Sequence, residues 1–225
     1  MRLVLATRNA AKLEELRRIL APLVPVEVIG LDAVPAYPEV PETGATFEEN
    51  ALIKAREAAG RTGLAAVADD SGLTVDALNG MPGVLSARWS GHGSTDESNL
   101  RLVLEQTEDV PDVRRGAAFV CAAVLVTPDG AEQVAHGTVT GTLLREPRGS
   151  NGFGYDPIFR PAGDTRTTAE MSPAEKDAIS HRGKAFRAHA PLVAATLGSP
   201  GFLSSSQPSG AASWSAAAGP QEPRG

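Results

Sequence analysis

Residues Leu64 to Val67 are an apolar run that reads as a buried strand, and it is closed by Ala68-Asp69-Asp70-Ser71-Gly72. A strand of this kind constrains the fold because its two adjacent carboxylates need somewhere to go. Ending the strand there, with Gly72 letting the backbone turn, points both acids out of the sheet into the crevice where α/β proteins hold ligands. Such a crevice suits a hard cation. Magnesium takes carboxylate oxygens, keeps several waters and shares substrate phosphates, so one or two acids suffice when phosphate-binding groups stand nearby. The same residue types also make ordinary turns, and in isolation the segment reads more readily as one.

The chain has 225 residues, 42% of them hydrophobic and 21% charged, enough for one large globular domain. Its net charge of −6 argues against a protein that mainly grips nucleic acid backbone, while a few local cations would still hold a small anionic substrate. The single Cys121, inside an apolar run, excludes an internal disulfide framework and reads as core filler. No apolar stretch approaches the roughly 20 residues of a membrane helix, and Met1 to Ala6 is too short for a signal-peptide core, so a cytoplasmic protein without a membrane partner is expected.

Leu3 to Ala6 reads as an opening strand, followed by a helix with Leu13, Leu16, Ile19 and Leu20 on one face, then a short strand near Val26 to Ile29. Pro35, Pro38 and Pro41 exclude regular structure up to about Thr43. Thr46-Phe47-Glu48-Glu49 has capping-box spacing for a helix through Ala59, with Gly63 as its stop. After the Asp-Asp strand, a separate strand is expected over Leu73 to Leu78. Ser94 or Thr95 should cap a helix carrying Leu100, Val103 and Leu104, and a long hairpin should turn at Pro128-Asp129-Gly130 between Arg115–Val126 and Glu132–Leu144. Ser172-Pro173-Ala174-Glu175 is a second capping box, and a last helix should carry Phe186 to Leu197. From Ser199 the composition shifts to Ser, Ala, Gly and Pro, so residues 1–198 are expected to form the folded unit and 199–225 a disordered tail. These elements imply an α/β fold on a mixed sheet.

Several segments carry groups suited to chemistry. The junction Thr7-Arg8-Asn9-Ala10-Ala11-Lys12 offers free N–H groups at a helix start, side-chain donors and a lysine, a set that favours phosphate, although a plain capped helix has the same look. Of 21 basic residues only Lys12, Lys54, Lys176 and Lys184 are lysines, which slightly favours a specific use for a lysine that stands beside other candidate ligands. Glu42, in a proline loop, becomes a second metal ligand only if that loop folds back over Asp70. Phe153, between Gly152 and Gly154, suits stacking of a flat base or burial in the core; Tyr155-Asp156 follows, with an acid able to accept from ring N–H groups. Ser180-His181-Arg182-Gly183 sets two donors side by side. Trp89, His92 and His136 show no partner pattern.

In order and spacing, Thr7–Lys12, Glu42–Ala51, Ala68–Leu73, Phe153–Phe159 and Glu175–Gly183 resemble the inosine triphosphate pyrophosphatase family, over about residues 1 to 198. The resemblance implies a three-layer α/β fold with a deep cleft between two lobes, a homodimer, and magnesium-dependent cleavage of nonstandard purine triphosphates (ITP, dITP, XTP) to monophosphate and pyrophosphate. It also implies that Thr7, Arg8, Asn9, Ala10, Ala11 and Lys12 bind triphosphate, that Glu42 and Asp70 hold the metal, and that Asp70 accepts the proton. Ser71 and Lys176 would contact substrate, Phe153, Gly154, Tyr155 and Asp156 would hold the base, and His181 with Arg182 would read its six-position. Arg8 departs from the small residue of many members. Two other readings compete: a pyrophosphatase for other modified nucleotides, which a substrate panel separates, and a silent nucleotide-binding module, which pyrophosphate release excludes.

Overall fold

The computed structural model describes residues 2–23 and 26–197; the tail expected from Ser199 lies outside the described residues. The opening run forms β1 (Arg2–Leu5). Asn9 Oδ1, accepting the Lys12 N–H at 3.0 Å, caps α1 (Ala10–Leu20), and β2 (Glu27–Gly30) follows. Residues 35–44 have no regular structure. Thr46 caps α2 (Phe47–Thr62), which stops at Gly63 in the left-handed conformation. The capping box expected here is half formed, because the Glu49 carboxylate accepts from the Ala45 N–H at 2.7 Å, one residue before the cap.

The strand through the two acids, β3 (Ala65–Val75), corrects the opening expectation: it does not end at Asp70, and residues 73–75 belong to it rather than to a second strand. Two causes are visible. Its antiparallel partner β4 (Gly116–Val126) sets Ala123 opposite Asp69 and Ala122 opposite Asp70, so small side chains leave room for the carboxylates and the ladder continues. Gly72 is required by close approach and not by a turn, since a Cβ there would lie 2.5 Å from the Gly83 carbonyl oxygen. The crevice arises instead because β1, parallel to β3, pairs only as far as Leu5 opposite Val67. Asp69 and Asp70 lie just beyond.

Thr95, not Ser94, caps α3 (Asp96–Gln106), and β4 with β5 (Glu132–Leu143) makes the expected hairpin, extended by β6 (Phe159–Pro161). A complete capping box between Ser172 and Glu175 opens α4 (Pro173–Ile179). The last helix, α5 (His181–Leu197), starts a turn earlier than expected because Ser180 Oγ accepts the Gly183 N–H at 2.9 Å. The sheet order is β2-β1-β3-β4-β5-β6, with parallel pairs only at β1.

Period-two alternation along β3 distributes the core. Ala65 and Val67 pack with Leu16 and Leu20 of α1 and Phe186 and Val193 of α5, whereas Ala66 and Ala68 pack with Ala51, Ala55 and Ala58 of α2. The molecule is therefore a three-layer α/β structure. Beyond the acids, Leu73 and Val75 join Leu100, Val103, Phe119 and Tyr155 in a third cluster, the second lobe.

Gly137 of β5 lies so close to α5 that a Cβ would meet the His181 carbonyl oxygen at 2.1 Å and the Ala185 nitrogen at 2.5 Å. Gly137→Ala is expected to lower stability by about 1–3 kcal/mol through overpacking. Gly60→Ala, on the open side of α2, should raise it by up to about 1 kcal/mol. Urea denaturation ranks them; a Gly137→Ala protein as stable as the parent would contradict the close packing of β5 on α5.

Candidate active site

A cavity of about 610 Å³ lies between the lobes, bordered by the start of α1, the 35–44 loop, β3 and the 153–156 turn. Thr7, Arg8, Asn9, Lys12, Glu42, Asp70, Ser71, Phe153, Gly154, Tyr155, Asp156, Lys176, His181 and Arg182 all line it. Ala10 and Ala11, also expected in the site, stand exposed on the first turn of α1 and are not among its lining residues.

Alternation sends the two aspartates to opposite faces of the sheet. Asp69, fully buried, faces α1 and α5: its Oδ2 accepts from Ser71 Oγ at 2.9 Å and Arg182 Nε at 3.2 Å and lies 3.5 Å from Lys12 Nζ. Burial would raise its pKa, but Lys12 and Arg182 outweigh that and hold it well below the usual carboxylate range. Asp70 faces α2, where its Oδ2 accepts from Asn50 Nδ2 at 3.2 Å and its Oδ1 lies 3.5 Å from Lys54 Nζ. Here burial wins over Lys54, and the Asp70 pKa is raised. Two carboxylates adjacent in the chain are therefore shifted in opposite directions.

The proline loop does fold back. Glu42 Oε1 accepts from Lys54 Nζ at 2.7 Å, so one ammonium stands between Glu42 and Asp70. Burial pulls Glu42 up, yet Lys54 leaves it net below its ordinary value. Arg8 helps to fasten this loop: its Nη2 donates to the Tyr37 carbonyl at 2.6 Å, and the guanidinium lies 5.5 Å from the Tyr37 ring centroid. The departure at position 8 thus serves the loop that carries Glu42.

At the other end, Ser180 caps α5 and so puts His181 and Arg182 in its first turn. Arg182 is buried and donates through Nε to Asp69, Nη1 to Glu15 at 2.9 Å and Nη2 to Ser71 at 2.7 Å, using three of its five N–H groups. His181 stacks on Phe119 at 4.9 Å between centroids, and burial holds it neutral, well below its ordinary pKa. Asp156 is committed inside the site: Oδ2 accepts from Lys176 Nζ at 2.6 Å and from the Phe153 N–H at 2.9 Å. The Phe153 ring lies 4.8 Å from Lys176 Nζ and 5.2 Å from the Arg182 guanidinium.

Glu15 and Asn50 were not singled out from the sequence, and Lys54 only as one of its four lysines. Asn50 and Lys54 stand four apart on α2, one helical face directed at Asp70, and that spacing was available as a signal. Glu15 gave none, because Leu16 beside it is core and an acid in a surface helix is ordinary.

The chain matches the model of the Ham1 family over residues 3–192. It belongs to the Ham1 family. The resemblance read from five segments is borne out at full-domain scale. Ham1-family relatives include the dITP/XTP pyrophosphatases of Frankia alni, 63% identical over 88% of this chain and 99% of the relative, and of Streptomyces coelicolor, 58% identical over the same shares. Among solved Ham1-family structures, the nucleoside-triphosphatase, dITP/XTP pyrophosphatase of Mycobacterium abscessus is 60% identical, covers 86% of this chain and 99% of that one, and superposes with a TM-score of 0.70. A Coxiella burnetii HAM1 protein superposes at 0.77 with 45% identity, covering 86% of this chain and 98% of its own. Among the described residues no helix is long and apolar enough to cross a membrane.

Arg182→Ala would leave Glu15 a buried carboxylate without its cation and Asp69 with Lys12 alone beside it, and is expected to destabilise the fold by about 3–5 kcal/mol. Unchanged thermal denaturation of that variant would contradict the network. A second expectation concerns pH. Burial lowers the His181 pKa and takes His189, also on α5, down to about 4, so the unfolded chain protonates first as pH falls. Stability is full above the unfolded histidine pKa and declines below it, by roughly 1.4 kcal/mol per pH unit for each group. Denaturation between pH 7 and 4.5 should show this slope, and His189→Leu should flatten it; a slope unaltered in that variant would contradict the assignment.

Proposed function

We propose that the protein is a nucleoside-triphosphate pyrophosphatase acting on nonstandard purine nucleotides, dITP, ITP and XTP, to give the monophosphate and pyrophosphate. The observation that carries this reading is the convergence, in one cavity, of a helix start with Lys12, a Glu42–Lys54–Asp70 cluster with Asp70 shifted up, and an aromatic turn backed by Lys176 and Arg182. Thr7, Asn9 and the first amides of α1 would hold phosphate oxygens together with Lys12 and Lys54. Asp70, with its raised pKa, would take the proton from the attacking water.

A magnesium requirement belongs to the same proposal. Among the described residues no cluster of three or more Asp, Glu, His or Cys side chains could cage a cation. Two carboxylates that face one cavity nevertheless fit an ion that shares its coordination with substrate phosphates and water. Glu42 and Asp70 would hold it, and when bound it would neutralise phosphate charge and acidify a water. Lys54 would then be released from between them towards the phosphates.

Discrimination would come from the turn and α5. A six-keto purine presents an acceptor where adenine presents a donor, and Arg182, with two N–H groups uncommitted, can only donate. A cytoplasmic homodimer, with residues 1–198 as its catalytic unit, completes the proposal by way of the family resemblance. Phosphorus NMR of an ITP reaction with magnesium should show pyrophosphate and IMP as first products, with chelation abolishing and magnesium restoring them. Orthophosphate and IDP as first products would overturn the reading.

A further inference from the structure

The segment that carries Phe153 is held from two sides. On one, the Asn151 N–H donates to the Ala169 carbonyl at 3.0 Å and its Nδ2 to the Met171 carbonyl at 3.0 Å. On the other, the Gly154 N–H donates to Asp96 Oδ2 at 2.8 Å, and Asp96 is the first residue of α3, which packs in the second lobe. Consecutive amides therefore serve two carboxylates, since the Phe153 N–H goes to Asp156 within its own turn. Gly154 turns its amide outward from a φ of 62°, a left-handed conformation that suits glycine.

The far anchor is itself held by hydrogen bonds. Thr95 and Ser98 form a complete capping box around Asp96. The buried Asn99 accepts from the Ser90 N–H at 2.7 Å and donates to the Ala87 carbonyl at 3.2 Å, tying α3 to the neighbouring loop. Asp96 also lines the cavity beside Phe153 and Gly154. A carboxylate accepting from a backbone amide is a charge-assisted bond, stronger than a neutral one.

We infer that Asp96 is a positioning residue that clasps the Phe153–Gly154 segment against α3 and thereby orders the aromatic wall of the cavity before a nucleotide arrives. The inference rests on the nucleotide reading above. Ordering a loop in advance removes an entropic cost from binding and favours ground state and transition state alike, so its loss raises KM and spares kcat.

The test uses the full chain, with hydrogen exchange of the ligand-free protein across residues 150–156 and steady-state ITP kinetics, for Asp96→Ala and Asp96→Asn. Asp96→Ala should exchange faster there, with thermal stability retained, and KM for ITP should rise about fivefold to tenfold while kcat changes little. Asp96→Asn keeps an oxygen acceptor for Gly154 and should restore most of both properties. Unchanged exchange in Asp96→Ala, faster exchange with an unchanged KM, or an Asn variant as impaired as the Ala variant each overturns the inference. A parent protein that releases pyrophosphate from no nucleotide would sink the functional reading instead, and the exchange data would still decide whether the clasp exists.

Discussion

The Arg182 guanidinium, buried among Asp69, Glu15 and Ser71, is the interaction on which the rest of the structure depends. Each partner comes from a different element: Glu15 from α1, Asp69 and Ser71 from β3, Arg182 from α5. A buried arginine–carboxylate cluster of this kind adds little net stability over an apolar core, but losing one member leaves a charge stranded. It therefore fixes the relative setting of three elements more than it strengthens them. That setting holds Lys12 at the cavity wall and fixes Arg182 near the Phe153 ring.

The period of a β-strand does the rest. Two consecutive carboxylates on β3 must face opposite layers, so one enters the arginine cluster and the other meets α2. Asp69 is surrounded by cations and stays ionised; Asp70 is left nearer to protonation by burial, which Lys54, shared with Glu42, does not offset. The chemical asymmetry follows from adjacency in a strand whose neighbour β1 stops at Leu5. Small residues on β4 make room for both.

Much of this was legible beforehand, and the exceptions have physical causes. Local signals worked where a cap or a turn residue acts within a few positions, as at Thr46, Ser172, Gly63 and Pro128-Asp129-Gly130. Residue type misled at Asp69-Asp70, where acids and glycine read as a strand end although cross-strand alanines let the ladder continue. It misled again at Ser180, whose cap lengthens α5 and turns an ordinary-looking His-Arg pair into buried site residues. Lys12, Glu42, Asp70, Lys176 and Arg182 were identified as candidates because their segments recur together, while their partners Glu15 and Asn50 sit in helix faces that look generic.

The central claim is that adjacent aspartates hold different offices, Asp69 electrostatic and Asp70 chemical. Thermal denaturation and ITP turnover of Asp69→Asn and Asp70→Asn, measured side by side, test it most directly. Asp70→Asn should keep the parental Tm, because its carboxylate is already strained towards the neutral form, and lose about a hundredfold or more in turnover. Asp69→Asn should lower Tm by several degrees, roughly the effect of weakening a buried ion pair. An Asp70→Asn protein that loses stability yet keeps most of its turnover, beside an Asp69→Asn protein with an unchanged Tm, would contradict the account.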